Sequence, residues 1–71
     1  MSAKTRLTVN GETKEVAAAS VLELVSAEGL DPARRGIAVA LDGAVVARAA
    51  WADTPLPDGA VVEIVKPAAG G

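Results

Sequence analysis

Apolar and polar residues alternate along "TRLTV", placing Leu7 and Val9 on one side and Arg6 and Thr8 on the other, the pattern of a strand with one buried face. Asn10-Gly11 follows, and both residues tolerate positive φ. The chain is therefore expected to turn back as a hairpin, with a return strand over about Thr13 to Val16. The period then changes. Val21, Leu24 and Val25, flanked by Leu22, recur at helical spacing. Directly ahead of them "SVLE" forms a capping box, in which the Ser20 hydroxyl accepts from the Glu23 N–H while the Glu23 carboxylate reaches back. Gly29 suits the left-handed residue just past a helix end, and Leu30 the apolar contact that accompanies it. Asp31-Pro32 forbids easy continuation, so the predicted helix is short, near Val21 to Glu28.

"PARRG" reads as a polar loop with Arg34 and Arg35 solvated. "IAVALDGAVVA" predicts a second hairpin turning at Asp42-Gly43. Ile37, Val39 and Leu41 share one face; Ala38 and Ala40 share the other, where small side chains let another surface approach closely. Between Arg48 and Pro57 the pattern breaks, as in a loop or a single helical turn around Trp51. Asp58-Gly59 turns the chain into "AVVEIV", with Val62 and Ile64 facing the core and Val61, Glu63 and Val65 outside. Strands interrupted by one helix predict an α+β domain, a mixed sheet of about four to five strands covered on one face. The order hairpin, helix, hairpin, irregular link and final strand matches the β-grasp, or ubiquitin-like, arrangement. In that fold the last strand lies between the two hairpins and its end projects as a free tail. This placement is carried over from the fold and is not visible in the periodicity. The expected division is a domain over residues 1–66 and a flexible tail over 67–71.

Composition narrows the chemistry. A chain of 71 residues is one small domain. Cys and His are both absent, which removes disulfides, the usual zinc sites, a thiol nucleophile and an imidazole base. The fold must rest on aliphatic packing, and 51% hydrophobic content allows it. A net charge of -2 with a single aromatic residue argues against a stacking platform for nucleic acid. Apolar runs such as "IAVAL" fall far short of the roughly 20 residues a membrane span requires. "MSAKTRLTVN" lacks the apolar core of a secretory signal, so a cytoplasmic protein is expected. No phosphate-binding glycine loop is present. Ser2, Ser20 and Ser26 have no evident activating partner, and Ser20 is explained as a helix cap. Asp31, Asp42 and Asp58 each adjoin Pro or Gly, which is turn chemistry. An autonomous enzyme is not expected, nor a bound cofactor or metal.

The terminal carboxylate remains. A free carboxylate is a poor electrophile, but an adenylating partner converts it to an acyl-adenylate, from which sulfide or a persulfide displaces AMP and leaves a thiocarboxylate. Such a tail must enter another protein's active site. Pro67 to Gly71, fully extended, span roughly 16–18 Å. The segment Pro67, Ala68, Ala69, Gly70, Gly71 is narrow, and terminal glycines leave no Cβ to crowd the acyl carbon. A trailing linker is the bland alternative, although linkers more often carry Ser and further polar residues.

Several stretches together resemble the ThiS family of sulfur carriers for thiamine thiazole synthesis: "VNGE", "AVALDGAVVAR", a Trp followed by "TPLPDGAVVEIV", and the terminal "GG". The spacing from Asp42-Gly43 through Arg48 and Trp51 to Asp58-Gly59 is the most specific part. The resemblance implies that a ThiF-like adenylyltransferase activates Gly71, that a sulfur-donating protein converts it to a thiocarboxylate, and that a ThiG-like thiazole synthase receives the sulfur. ATP and magnesium then belong to the activating partner, and the free carrier is expected to be a monomer. Gly70 matches the penultimate glycine. Arg48 and Trp51 match family positions without an assigned role, Trp51 being read as a lid over the core more than a partner anchor. Departures are Asp42 where Asn is frequent, Ala47 where Pro is frequent, and Pro67-Ala68 where β-branched residues are common. Pro67 fixes φ and removes one backbone donor.

Two other readings use the same fold. The small subunit of molybdopterin synthase shares the tail and its thiocarboxylate logic, but such subunits tend to be longer and carry phenylalanine, which this chain lacks. A non-covalent ubiquitin-like module would dock through the exposed sheet face, with Ala38, Ala40, Val61 and Val65, and leave the tail idle. That face is expected to serve docking under either hypothesis.

Overall fold

The computed structural model describes residues 4–67. Strands β1 (Thr5–Val9) and β2 (Glu12–Val16) form the first hairpin, followed by helix α1 (Val21–Ala27). Strands β3 (Ala38–Leu41) and β4 (Ala44–Val46) form the second, then come a 3₁₀ helix (Arg48–Asp53) and strand β5 (Val61–Val65). The sheet order is β2-β1-β5-β3-β4, so the last strand is central, as the fold resemblance implied. It runs parallel to β1 and antiparallel to β3, pairing Val9 with Val62 and Val39 with Ile64. Helix α1 and the 3₁₀ helix cover one face. Leu7, Val9, Val39, Val62 and Ile64 from the sheet meet Val21, Leu24, Val25 and Trp51 in a single core. The expected tail starts at Pro67; Ala68, Ala69, Gly70 and Gly71 lie outside the described residues.

The helix ends follow their local signals. The Glu23 N–H donates to Ser20 Oγ (3.2 Å), and the Glu23 carboxylate reaches back to the Ala19 N–H (3.0 Å), one residue beyond the cap itself. The first helical N–H, that of Val21, is satisfied by the Thr54 carbonyl at 3.0 Å. At the other end the N–H of Leu30 bonds the Val25 carbonyl and that of Gly29 the Ser26 carbonyl, with Gly29 at φ +83°. This is the Schellman ending, and Leu30 packs against the core as its apolar partner. The helix stops at Ala27 with Glu28 as its cap, one residue short of the expected bound. Lys14 on β2 donates to Glu28 at 3.2 Å. That bond, with a weaker contribution from Glu12, holds the ammonium pKa above the ordinary lysine value.

Turn residues do more than turn the chain. Asn10 and Asp42 both sit at φ 50° ahead of a left-handed glycine, as the hairpin sequences require. Their side chains also hold β5. Beyond Val9 the backbone of β1 veers into the hairpin, and the Asn10 amide takes its place beside β5. The Ile64 N–H donates to Asn10 Oδ1 (2.8 Å), and Asn10 Nδ2 donates to the Ile64 carbonyl (3.2 Å). Asp42 accepts the Val61 N–H on Oδ1 at 2.9 Å and donates its own N–H to the Val61 carbonyl at 2.7 Å. Asparagine offers the same acceptor oxygen, so the departure at Asp42 leaves this link intact.

Replacing Asn10 by Gly keeps the turn but removes both side-chain bonds, for an expected loss of about 1–2 kcal/mol. Asn10→Ala adds left-handed strain of roughly 1–2 kcal/mol to that loss. Urea unfolding should therefore rank wild type above Asn10→Gly and Asn10→Gly above Asn10→Ala. Equal midpoints for all three would show that the amide bonds to Ile64 contribute nothing.

Candidate functional site

The uncovered face of the sheet is split in two. On β1 and β2 the outward residues are polar and paired with each other: Arg6 Nη2 donates to Glu15 (3.3 Å), and the Thr8 and Thr13 hydroxyls stand 3.5 Å apart. On β5, β3 and β4 the outward residues are apolar except for Glu63. Val45, Val65 and Val61 are 81%, 61% and 48% exposed, so three valines of a small domain face solvent on one side. Isolated exposed apolar residues are ordinary, whereas a contiguous set marks an interaction surface.

Strand register explains why Val45 and Val65 come together. Ala38 lies opposite Val65, Ala40 opposite both Glu63 and Val45. The two alanines leave a depression of about 170 Å³ lined by Ala38, Val39, Ala40, Val45, Glu63 and Val65. Of the four residues expected to form a docking face, Ala38, Ala40 and Val65 meet at this depression. Val61 stands further along β5, beside Thr8 of β1. Val45 and Glu63 belong to the depression and were not among the expected docking residues. The signal for Val45 was present: a two-residue turn at Asp42-Gly43 sets it opposite Ala40.

The depression borders the point where the chain leaves the sheet. Val65 is the last residue of β5, Lys66 is exposed and Pro67 is half-buried. Pro67 rests on Gly36, where an added Cβ would lie 3.0 Å from the proline Cβ. Gly36 has φ +91°, in the left-handed region that disfavours a side chain. Arg48 holds the loop that leads to Gly36. Its guanidinium donates from Nη1 to the Pro32 carbonyl and from Nη2 to the Arg34 carbonyl, and it stacks 4.6 Å from the Trp51 ring centroid. Trp51 is 1% exposed and donates from Nε1 to the Val46 carbonyl at 3.0 Å, which makes it a core residue. Arg34 and Arg35 are exposed, as expected for the loop.

Among the described residues no group of His, Cys, Asp or Glu side chains is arranged to hold a metal, and no helix is long and apolar enough to cross a membrane. The Ser20 hydroxyl is engaged as the helix cap. The arrangement leaves a largely apolar half-face open to solvent, with Val65, Lys66 and Pro67 at its edge. Gly70 and Gly71, expected to carry the chemistry, lie outside the described residues, as do Ala68 and Ala69.

Compared with known families, the sequence matches the ThiS family over residues 7–71. Among solved structures, the chain is similar to the thiamine biosynthesis protein ThiS from Geobacter metallireducens. The two are 38% identical with a TM-score of 0.74, and the match covers 94% of this chain and 100% of that one. A comparison with curated proteins returned no match.

Proposed function

The chain belongs to the ThiS family, and from that membership we propose that it is a sulfur carrier for thiamine biosynthesis, with the Gly71 carboxylate as its working group. One observation carries the reading. The family match continues beyond β5 through Gly70-Gly71, and β5 ends at Val65, on the rim of the apolar depression.

The steps balance as follows. A ThiF-like adenylyltransferase holds ATP and magnesium. The Gly71 carboxylate oxygen attacks the α-phosphorus, pyrophosphate leaves, and an acyl-adenylate results. Sulfide, or the terminal sulfur of a persulfide on a donor protein, attacks the acyl carbon and AMP departs with the bonding pair. Sulfide gives the thiocarboxylate directly; a persulfide gives an acyl disulfide that a thiol cleaves to the same product. A ThiG-like thiazole synthase then accepts the sulfur. The carrier contributes no acid or base to these steps. Its share is an unhindered acyl carbon on glycine and a docking surface that makes delivery intramolecular within the complex.

Intact mass after incubation with ATP, magnesium, the adenylyltransferase and a sulfur donor tests the proposal. The expected product is heavier by the exchange of one oxygen for sulfur. An unchanged mass with an adenylyltransferase shown to be active would remove it. Stable co-purification with a large molybdopterin-synthase subunit in place of thiazole synthase would move the chain to the other carrier class.

The docking face has its own test. Val65→Asp puts a charge on the apolar half-face without touching the core. The carrier's KM with the adenylyltransferase is expected to rise at least roughly tenfold, the equivalent of one valine's burial. An unchanged KM would place docking on another surface.

A further inference from the structure

Arg48 and Trp51 are linked to Pro67 through the loop between α1 and β3. Trp51 is anchored in the core by burial and by its bond to Val46. Arg48 stacks on it and bonds two carbonyls of the loop between α1 and β3, those of Pro32 and Arg34. The same loop is closed on itself, with the Ala33 N–H donating to Asp31 Oδ1 (2.9 Å) and the Arg34 N–H to the Asp31 carbonyl (2.9 Å). It ends at Gly36, the residue on which Pro67 rests. A lysine at 48 would lack the planar fork that bonds two carbonyls while lying flat on an indole.

We infer that Arg48 and Gly36 are positioning residues that build a seat for Pro67 and so fix the point and direction from which residues 68–71 leave the domain. The inference rests on the carrier reading for its consequence, but the seat itself is a matter of contacts. Two effects follow. On the carrier reading, residues 68–71 set the reach for delivery of Gly71 at about 13–14 Å, one residue less than Pro67 to Gly71 would span. A proline with fixed φ, held on a rigid loop, also removes conformational freedom before the partner is met, which lowers the entropic cost of threading. Pro67 is thereby a functional part of the tail's root, and the backbone donor it lacks is lost at a position already held by packing.

The seat and the docking face predict opposite kinetic signatures. In Pro67→Gly and Arg48→Lys the apolar half-face is untouched, so the carrier still docks but presents its end less often in the productive place. With the adenylyltransferase, ATP and magnesium, and the full-length carrier as varied substrate, AMP release at saturation is expected to fall about three- to tenfold while KM stays within about twofold. In the free carrier, ¹⁵N order parameters at the Gly36 and Lys66 amides are expected to fall in both variants, with the sheet amides unchanged. Pro67→Gly lies outside the core and keeps the test open should Arg48→Lys fold poorly. Order parameters unchanged at both amides overturn the seat. A kcat within twofold of wild type in both variants, or a loss carried by KM, overturns its role in delivery. A wild-type carrier that gives no ATP-dependent product defeats the carrier reading instead, and the relaxation measurement still decides whether the seat exists.

Discussion

A carrier whose Gly71 carboxylate is converted to the primary amide is expected to form no thiocarboxylate at all. The amide keeps the length, the two glycines and every contact of the domain, and removes only the anionic oxygen that the proposed function assigns to attack on the α-phosphorus of ATP. Deleting Gly71 is a different perturbation. Gly70 then supplies a chemically equivalent carboxylate, withdrawn by one residue, roughly 3.3–3.6 Å. An adenylation site that aligns the attacking oxygen tolerates no such displacement. Misplacement of about 1 Å already costs on the order of 10²-fold, so the deletion is expected to lose at least that much. Both variants should keep the wild-type melting temperature, because Gly71 lies beyond the last paired residue of β5. Both should also compete with wild type for the adenylyltransferase, since the proposed docking face is unchanged. Sulfur incorporation into the amide at the wild-type rate would show that the carboxylate is not the acceptor, and the chain would then act as a docking module with an idle tail.

Local rules sufficed for the parts of this fold that local rules govern. The turns at Asn10-Gly11 and Asp42-Gly43, the cap at Ser20 and the ending at Gly29 are set by residues within four or five positions of each other, and each formed where the sequence placed it. The central place of β5 is of another kind. It depends on a parallel pairing between Val9 and Val62, and no periodicity reports which strand a strand will choose. It was reached through likeness to a known fold. The side-chain bonds of Asn10 to Ile64 bridge 54 positions, and the same residue type that announced a turn concealed this second task. Around the candidate site the division repeats. The small outward residues Ala38 and Ala40 are legible because their meaning lies in what they lack, whereas the terminal glycines lie outside the described residues. Arg48 matched a family position without an assigned role, because its partners are backbone carbonyls, which leave no mark on a sequence. Gly36 read as a loop glycine, because the residue it must admit is Pro67.

Trp51→Ala is expected to be the most damaging single change to the domain itself. The ring is 1% exposed at the junction of α1, the sheet and the 3₁₀ helix, and it is the single aromatic residue in the chain. Truncating a buried tryptophan costs about 3–5 kcal/mol in lost contacts and residual cavity. A domain of this size holds roughly 4–10 kcal/mol in all, and without cysteine no disulfide limits the unfolded chain. The alanine variant should therefore lose about a third or more of its stability, and at the lower end of that range it sits near its unfolding midpoint in buffer at room temperature. Trp51→Phe separates the components: it keeps most of the packing, leaves the Val46 carbonyl without its donor, and should lose about 1–2 kcal/mol. Urea unfolding followed by far-ultraviolet circular dichroism reads both, because neither variant retains indole fluorescence. The same ring is the surface on which Arg48 lies, so Trp51→Phe should preserve the Pro67 seat while Trp51→Ala removes it with the core. An alanine variant within about 1 kcal/mol of wild type would mean that the aliphatic cluster closes over the missing ring. Trp51 would then matter chiefly as the platform for Arg48.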